Sequence, residues 1–138
     1  MPSTPPAEPA QGPPRRLLLT SADWQTRALT LVSLKELGYE VLALPGLRYG
    51  LRAILQDRVD PPLLLVDTKD DDAATPEQIA RLHELLPDAP LVVLTEAWYR
   101  ASYEPLRPNL AALLVRPVMV QEIVETVQRL LPPSATSA

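Results

Sequence analysis

The chain has 138 residues, 46% of them hydrophobic, which suits one globular domain. Its net charge is −4, and it has no cluster of basic residues longer than Arg15-Arg16, which argues against a nucleic-acid-binding surface. It has no cysteine and a single histidine, His83, which argues against disulfides, thiolate catalysis, cysteine-based zinc sites and histidine-based catalytic triads. No apolar run approaches the ~20 residues that a membrane span needs.

Both ends of the chain are predicted to be tails. Residues 1–14, MPSTPPAEPAQGPP, hold six of the 17 prolines and no hydrophobic periodicity, so we expect a disordered, proline-rich segment. They also lack the basic start and apolar core of a secretory signal, which favours a cytoplasmic protein. A disordered tail is expected over residues 132–138, so that 15–131 forms the domain. The short tail also predicts that no effector domain follows.

The first predicted element is a buried strand, LLLT (17–20). A helical pattern over 23–38 follows and ends at Gly38. We expect this helix to face the core with Leu29, Val32, Leu34 and Leu37. The second unit consists of a strand over 39–44 and a helix over 48–58 that groups Leu51, Ile54 and Leu55 on one face.

The third strand, LLLV (63–66), runs directly into Asp67. The loop after it contains Asp70, Asp71 and Asp72, which could supply stray metal ligands but are expected to form a solvated acidic loop. A third helix is predicted over 75–86, with Thr75 as N-cap and Pro76 in the first turn. His83 on this helix is interpreted as a surface or boundary residue.

The last third of the chain contains a strand over 91–94 that ends before Thr95, a strand over 111–115, and an amphipathic helix over 118–131. That helix is expected to place Val120, Ile123, Val124 and Val127 on the sheet. Between the two strands, residues 96–109 should contain a fourth helix. Pro105 and Pro108 forbid a regular one, so a short or remodelled helix is predicted.

Apolar strands that alternate with helices indicate a doubly wound α/β domain. We expect a five-stranded parallel sheet of flavodoxin-like order 2-1-3-4-5, with helices on both faces. In such sheets ligands bind beyond the carboxyl ends of the strands, near the point where the strand order reverses. Asp67 is predicted to lie there.

Residues 15 to 131 resemble the CheY-like receiver domain of two-component response regulators. The similarity rests on an ordered set of segments: LKELGYEV (34–41), GLRAILQDRVDPPLLLVD (50–67), PLVVLT (90–95) and LLVRP (113–117). The resemblance implies that Asp67 is the phospho-acceptor position and that Thr95 is the hydroxyl that grips the phosphoryl group. Arg116 stands at the position of an invariant lysine, and Pro117 follows it, at a peptide that is cis in the family.

The chain departs from the family pattern around the metal. The family holds Mg²⁺ with two acidic residues directly after the first strand, where this chain has Ser21 and Ala22, and only Asp23 beyond them is acidic. Glu96 follows Thr95 where a small residue is usual, and Leu113 replaces the aromatic residue of the fifth strand. A degenerate, pseudo-receiver variant is therefore predicted, with no metal and no other cofactor.

Three roles for Asp67 remain open at this stage: a phosphorylated residue, an ion-pair partner of Arg116, or an inherited strand-end residue without a present role. Thr95 is either a functional hydroxyl or a β-branched residue suited to a strand end. The favoured function is a stand-alone receiver-like module of signal transduction that acts by binding another protein and is not an enzyme. One alternative is a working phospho-receiver that uses Asp67 with Mg²⁺, limited to autophosphorylation and autodephosphorylation in a phosphorelay. The other is a small-ligand sensor in the strand-end crevice.

The expected partners are a histidine kinase or an effector protein, with a homodimer through the face between the fourth and fifth helices as a further expectation. No nucleic acid or membrane partner is expected. Trp98, Tyr99 and Tyr103 are the candidate interface residues, together with Trp24. For Trp98 and Tyr103, the competing interpretation is that they cap the core beneath the broken helix.

Overall fold

The structure is a computed structural model that describes residues 15–133; the expected tails, 1–14 and most of 132–138, lie outside the described residues. Five strands form one sheet: β1 Leu17–Thr20, β2 Val41–Leu44, β3 Leu64–Asp67, β4 Leu91–Thr95 and β5 Ala112–Val115. The strands are all parallel and lie in the order β2-β1-β3-β4-β5, which confirms the predicted topology.

Four helices of regular length connect or follow the strands: α1 Trp24–Glu36, α2 Leu47–Leu55, α3 Pro76–Leu85 and α5 Val120–Leu130. Between β4 and β5 the chain forms a 3₁₀ turn at Ala97–Tyr99, a single α-helical turn, α4, at Arg100–Tyr103, and a second 3₁₀ segment at Glu104–Asn109. Pro105 and Pro108 lie in that last segment, so the prediction of a remodelled fourth helix is confirmed.

Successive residues of each strand face opposite sides of the sheet and build two separate cores. Leu18, Leu64 and Val66 pack with α2, α3 and Tyr103 on one side. Leu17, Leu19 and Leu65 pack with α1 and α5 on the other, where Ile123, Val124 and Val127 are buried as expected. Because both faces are covered, the central strands are apolar throughout, and polar side chains at their ends stand out.

The predicted inner face of α1 is wrong at three of four positions. Leu34 is buried, but Leu29, Val32 and Leu37 are between 39% and 54% exposed. The helix instead turns Thr30 and Leu34 to the sheet, with Leu31 partly buried beside them. This spacing also turns Arg27 inward, where it donates to the Ser21 carbonyl at 2.6 Å. The face of α1 that packs on the sheet is therefore partly polar. A prediction based only on the apolar residues of the helix selects the wrong face for this reason.

The N-terminal ends of α2 and α3 are fixed by side chains. Thr75 caps α3 by accepting a hydrogen bond from the Gln78 backbone at 3.2 Å, as predicted. Leu55, expected on the apolar face of α2, is 54% exposed because the helix ends at that residue and its buried stripe is formed by Leu47, Gly50 and Leu51. Within residues 15–133, no helix is both long enough and apolar enough to cross a bilayer.

Candidate functional site at the carboxyl ends of the strands

Asp67 is the last residue of β3, the central strand, and its side chain is fully buried. The ends of β1 and β4 lie on either side of it, so Ser21 and Thr95 are its neighbours across the sheet edge. An ionised carboxylate in such a position is costly unless charge and hydrogen bonds compensate it. The compensation comes from four donors.

The guanidinium of Arg116 binds Asp67 with both of its terminal nitrogens. Arg116 Nη1 donates to Oδ1 at 2.7 Å and Nη2 donates to Oδ2 at 2.8 Å, a bidentate pair. The Ser21 hydroxyl donates to Oδ2 at 2.8 Å, and the Lys69 backbone N–H donates to Oδ1 at 3.1 Å. Each oxygen thus accepts two hydrogen bonds, which uses the lone pairs that lie in the plane of the carboxylate.

The backbone of β5 positions Arg116. Its N–H donates to the Thr95 carbonyl at 2.8 Å, which continues the β4–β5 ladder by one residue, and the Arg116–Pro117 peptide is cis. The hydrogen bonds with Asp67 raise the pKa of Arg116 above its ordinary value; burial opposes this, while attraction to Asp67, Asp23 and Glu96 adds to it. The guanidinium is therefore a permanent cation at the centre of the site.

The residues after β1 do not form an acidic pair around Asp67. Ser21 is buried against the carboxylate, Ala22 carries no polar atom, and Asp23 accepts a hydrogen bond from the Thr26 hydroxyl. That bond is the main reason why the pKa of Asp23 lies below its ordinary value. Asp23 also lies 3.9 Å from the Lys69 ammonium. Its carboxylate is thus tied to neighbouring side chains.

The donor set does not fit a magnesium ion. Among residues 15–133 there is no group of three His, Cys, Asp or Glu side chains placed to hold a metal. Mg²⁺ prefers carboxylate and phosphate oxygens in octahedral geometry. Here Arg116 donates to both oxygens of the Asp67 carboxylate, and the hydroxyl of Ser21 donates to one of them.

Thr95 lies at the end of β4 but makes no hydrogen bond with Asp67. It is fully buried, and within the described part of the chain its hydroxyl oxygen has no hydrogen-bond partner. Leu113, in the position of the family's aromatic residue, is also buried. Pro117 is exposed, and Glu96 is partly buried. The structure therefore brings Ser21, Asp67 and Arg116 into direct contact and leaves Thr95 beside them.

Asp71 has a role that the sequence did not indicate. Its Oδ2 accepts a hydrogen bond from the Leu47 backbone at 2.8 Å, at the first residue of α2, and its Oδ1 accepts one from Ala73 at 3.1 Å. Asp71 thus caps α2 from the loop after β3, so it is not part of a purely solvated loop. Asp70 and Asp72 are exposed, as expected.

The candidate interface residues divide into two groups. Trp98 is 72% exposed and Tyr99 is 53% exposed, with their ring centres 6.1 Å apart. Tyr103 is buried, and its hydroxyl donates to the Ala74 carbonyl at 2.6 Å. The core-capping interpretation is therefore right for Tyr103 and wrong for Trp98. Trp24, at the start of α1, is also exposed.

Three further residues of the site were missed by sequence reasoning. Thr26 accepts a weak hydrogen bond from Arg116 at 3.3 Å and donates to Asp23, Arg27 reaches the Ser21 carbonyl, and Lys69 contributes its backbone to Asp67. The position of Thr26 three residues after Asp23, on the first turn of a predicted helix, was a usable signal.

No protein-family model and no curated protein sequence matches the chain. Solved structures with similar folds include receiver domains of response regulators. The receiver domain protein of Clostridium thermocellum gives a TM-score of 0.72 at 15% identity, covering 87% of this chain and 96% of that chain. The receiver domain of NtrX from Brucella abortus gives 0.70 at 16% identity, covering 83% and 97%. A CheY-like receiver domain protein of Methanospirillum hungatei JF-1 gives 0.70 at 24% identity, covering 88% and 97%. The chain therefore has the receiver fold.

Proposed function

We propose that this protein is an atypical receiver module of signal transduction that acts by binding other proteins, with Asp67 held by Arg116 in place of phosphorylation. The receiver fold supports the first part of the proposal. The bidentate pair between Asp67 and Arg116 is the observation that carries the second part.

Acceptance of a phosphoryl group by an aspartate requires a free carboxylate oxygen and a cation that neutralises the phosphoryl oxygens. Both oxygens of Asp67 already accept two hydrogen bonds each. To expose one oxygen, the Arg116 fork must swing away and leave a buried charge without its partner. Removing one member of a buried pair typically costs about 3–5 kcal/mol, so we expect the open arrangement to be rarely populated.

In this proposal the module has one stable conformation, and it signals through the surfaces that bind other proteins. Trp98 and Tyr99 are exposed aromatic residues near the same end of the sheet, and aromatic side chains of this kind often anchor protein interfaces. A histidine kinase or an effector protein is the partner class that the fold favours. A homodimer through the face formed by α4 and α5 belongs to the same proposal.

The test uses beryllofluoride, a phosphoryl mimic, with Mg²⁺ and the ¹⁵N-labelled protein. We expect no saturable change in the amide signals of Thr68, Lys69 and Thr95 in the wild type. A second protein, with Ser21→Asp, Ala22→Asp and Arg116→Lys combined, supplies two acids and a compact ammonium, and we expect it to respond. A saturable wild-type response that disappears in Asp67→Asn would favour the working phospho-receiver instead.

A further inference from the structure

A groove of about 520 Å³ lies between α2 and α3, and the site at Asp67 contributes none of its lining residues. Its apolar part is formed by Leu51, which is nearly buried, by Ala73 and by Leu55, which is 54% exposed. Leu51 and Leu55 are one helical turn apart, so their side chains form a strip that runs along α2. Because Leu51 is only 9% exposed, the solvent-facing apolar surface of this strip comes mainly from Leu55.

The rim of this groove is cationic. Arg48 and Arg52 contribute from α2 and Arg81 contributes from α3, and among the residues that the structure describes no carboxylate lines the groove. Within residues 15–133 none of these three side chains forms an ion pair. The arrangement is notable in a chain whose net charge is −4. Since Arg48 and Arg52 are like charges four residues apart on one helix, they do not stabilise α2, and helix stability does not explain them.

The arginines of α2 are held in place by an aromatic ring. The guanidinium carbon of Arg48 lies 4.9 Å from the centre of the Tyr49 ring, and that of Arg52 lies 5.9 Å away. Arg48 also donates to the Tyr49 hydroxyl at 2.9 Å. An arginine that stacks on a ring keeps N–H groups free for a carboxylate, and less side-chain entropy is lost when that carboxylate binds.

We infer that this face, the α2–α3 groove, is a docking site for an acidic amphipathic segment of a partner protein. Leucine-like residues of the segment would lie on Leu51 and Leu55, and its Asp or Glu side chains would pair with Arg52 and Arg81. Charge complementarity carries the choice of occupant, because the rim presents three cations that have no ion-pair partner among residues 15–133, around an apolar floor. The apolar floor and the small number of cations disfavour a nucleic acid, which would use a broader basic surface.

The probe is a synthetic helical peptide with leucine along one face and glutamate on both flanks, added to the ¹⁵N-labelled full chain. We expect saturable shifts of amide signals in α2 and α3. The double variant Arg52→Glu/Arg81→Glu should bind at least about tenfold more weakly, and raised salt should also weaken binding. Lys35→Glu/Arg129→Glu, which reverses two exposed charges on α1 and α5, is the matched control and should bind as the wild type does.

A second peptide, with lysine in place of glutamate, and a short DNA duplex complete the design. Equal binding of the two peptides, no saturable shift with the glutamate peptide, shifts outside α2 and α3, or saturable binding of the duplex alone would each overturn the inference. Both substituted arginines are exposed, and the amide spectrum of each variant shows directly whether it is folded. The Asp67→Asn variant should bind the glutamate peptide normally, so this outcome is separate from the fate of the proposed function.

Discussion

Asp67 is a buried carboxylate. The free-energy cost of burying its charge is offset by hydrogen bonds from one guanidinium, one hydroxyl and one backbone N–H. Two of these donors, Ser21 and Arg116, stand where the receiver pattern has an acid and a lysine. An acid at position 21 would add negative charge beside Asp67, whereas a hydroxyl donates to it. A lysine would offer a point charge, whereas the arginine fork engages both oxygens. In the structure, Ser21 and Arg116 therefore both donate to the carboxylate of Asp67 and stabilise its charge.

The Arg116→Met variant tests this interpretation through stability. Methionine keeps much of the side-chain volume but leaves Asp67 as a buried charge without a cation, and we expect a loss of about 3 kcal/mol in the free energy of unfolding. Urea unfolding at pH 7 measures it. Arg129→Met, on the exposed face of α5, should change stability by no more than about 0.5 kcal/mol. A cost for Arg116→Met that matches this control would show that the ion pair contributes little.

At the scale of the elements, the segment between β4 and β5 is held by two separate devices. Tyr103 anchors it to the core through the Ala74 carbonyl. Glu104 connects residues within the segment, since its carboxylate accepts hydrogen bonds from Arg100 at 2.9 Å and from Arg107 at 3.0 and 3.2 Å. Three short turns thus replace a regular helix and still present Trp98 and Tyr99 outward in a defined position.

The Tyr103→Phe variant removes the hydroxyl and keeps the ring. We expect a loss of about 1 kcal/mol in the free energy of unfolding, the typical worth of one internal hydrogen bond. Burial already raises the pKa of Tyr103 above its ordinary value, as expected for a phenol that is withdrawn from water. Chemical denaturation provides the measurement, with Trp98→Ala as the exposed comparison at under about 0.5 kcal/mol. If the two variants cost the same, Tyr103 is not the anchor.

The Glu104 cluster predicts a pH dependence. Hydrogen bonds from Arg107 and Arg100 lower the pKa of Glu104 from 4.5 to about 2. Because the folded value lies below the ordinary one, the contribution of this cluster to stability is complete above pH 4.5 and is lost as the pH falls through about 2. An NMR titration of the Glu104 side-chain carboxyl should therefore give a midpoint well below 4.5. A midpoint near 4.5 for Glu104 would show that the cluster does not form in solution.

The elements differ in how well the sequence predicted them. The strands were predictable because short continuous apolar runs such as LLLV, bounded by turn residues, are typical of strands buried on both faces. The inner face of α1 was not, since Arg27 and Thr30 replace apolar residues on the side that meets the polar strand ends. Asp71 could not be recognised as a cap because its partner, the N–H of Leu47, lies 24 residues earlier in the chain and meets it only in the fold.

The site followed from topology and resemblance combined. Parallel strands bring their carboxyl ends to one edge, so Asp67 and the residues after β1, β4 and β5 had to be neighbours. The ion pair of Asp67 with Arg116 was one of three open interpretations, and the structure contains it. The donor role of Ser21 was not anticipated, because a serine hydroxyl has several alternative partners and the sequence does not choose between them.

At the scale of the whole molecule, the strand-end edge of the sheet and the α2–α3 groove differ in charge and in exposed side chains. The strand-end edge carries the ion pair of Asp67 and Arg116 beside exposed aromatic residues. The α2–α3 groove carries arginines around leucine, and these arginines form no ion pair within the described part of the chain. Our account is that a receiver scaffold has exchanged a switchable carboxylate for a fixed one and works through its surfaces. Its central claim is that Asp67 is not available to a phosphodonor.

The most direct measurement is intact-mass spectrometry of the full chain after incubation with acetyl phosphate and Mg²⁺ at neutral pH, with a phosphorylation-competent receiver domain treated in parallel. We predict no phosphoryl adduct on the wild-type protein under conditions that modify the competent receiver. A Mg²⁺-dependent adduct that maps to Asp67 and is absent from Asp67→Asn would contradict the account.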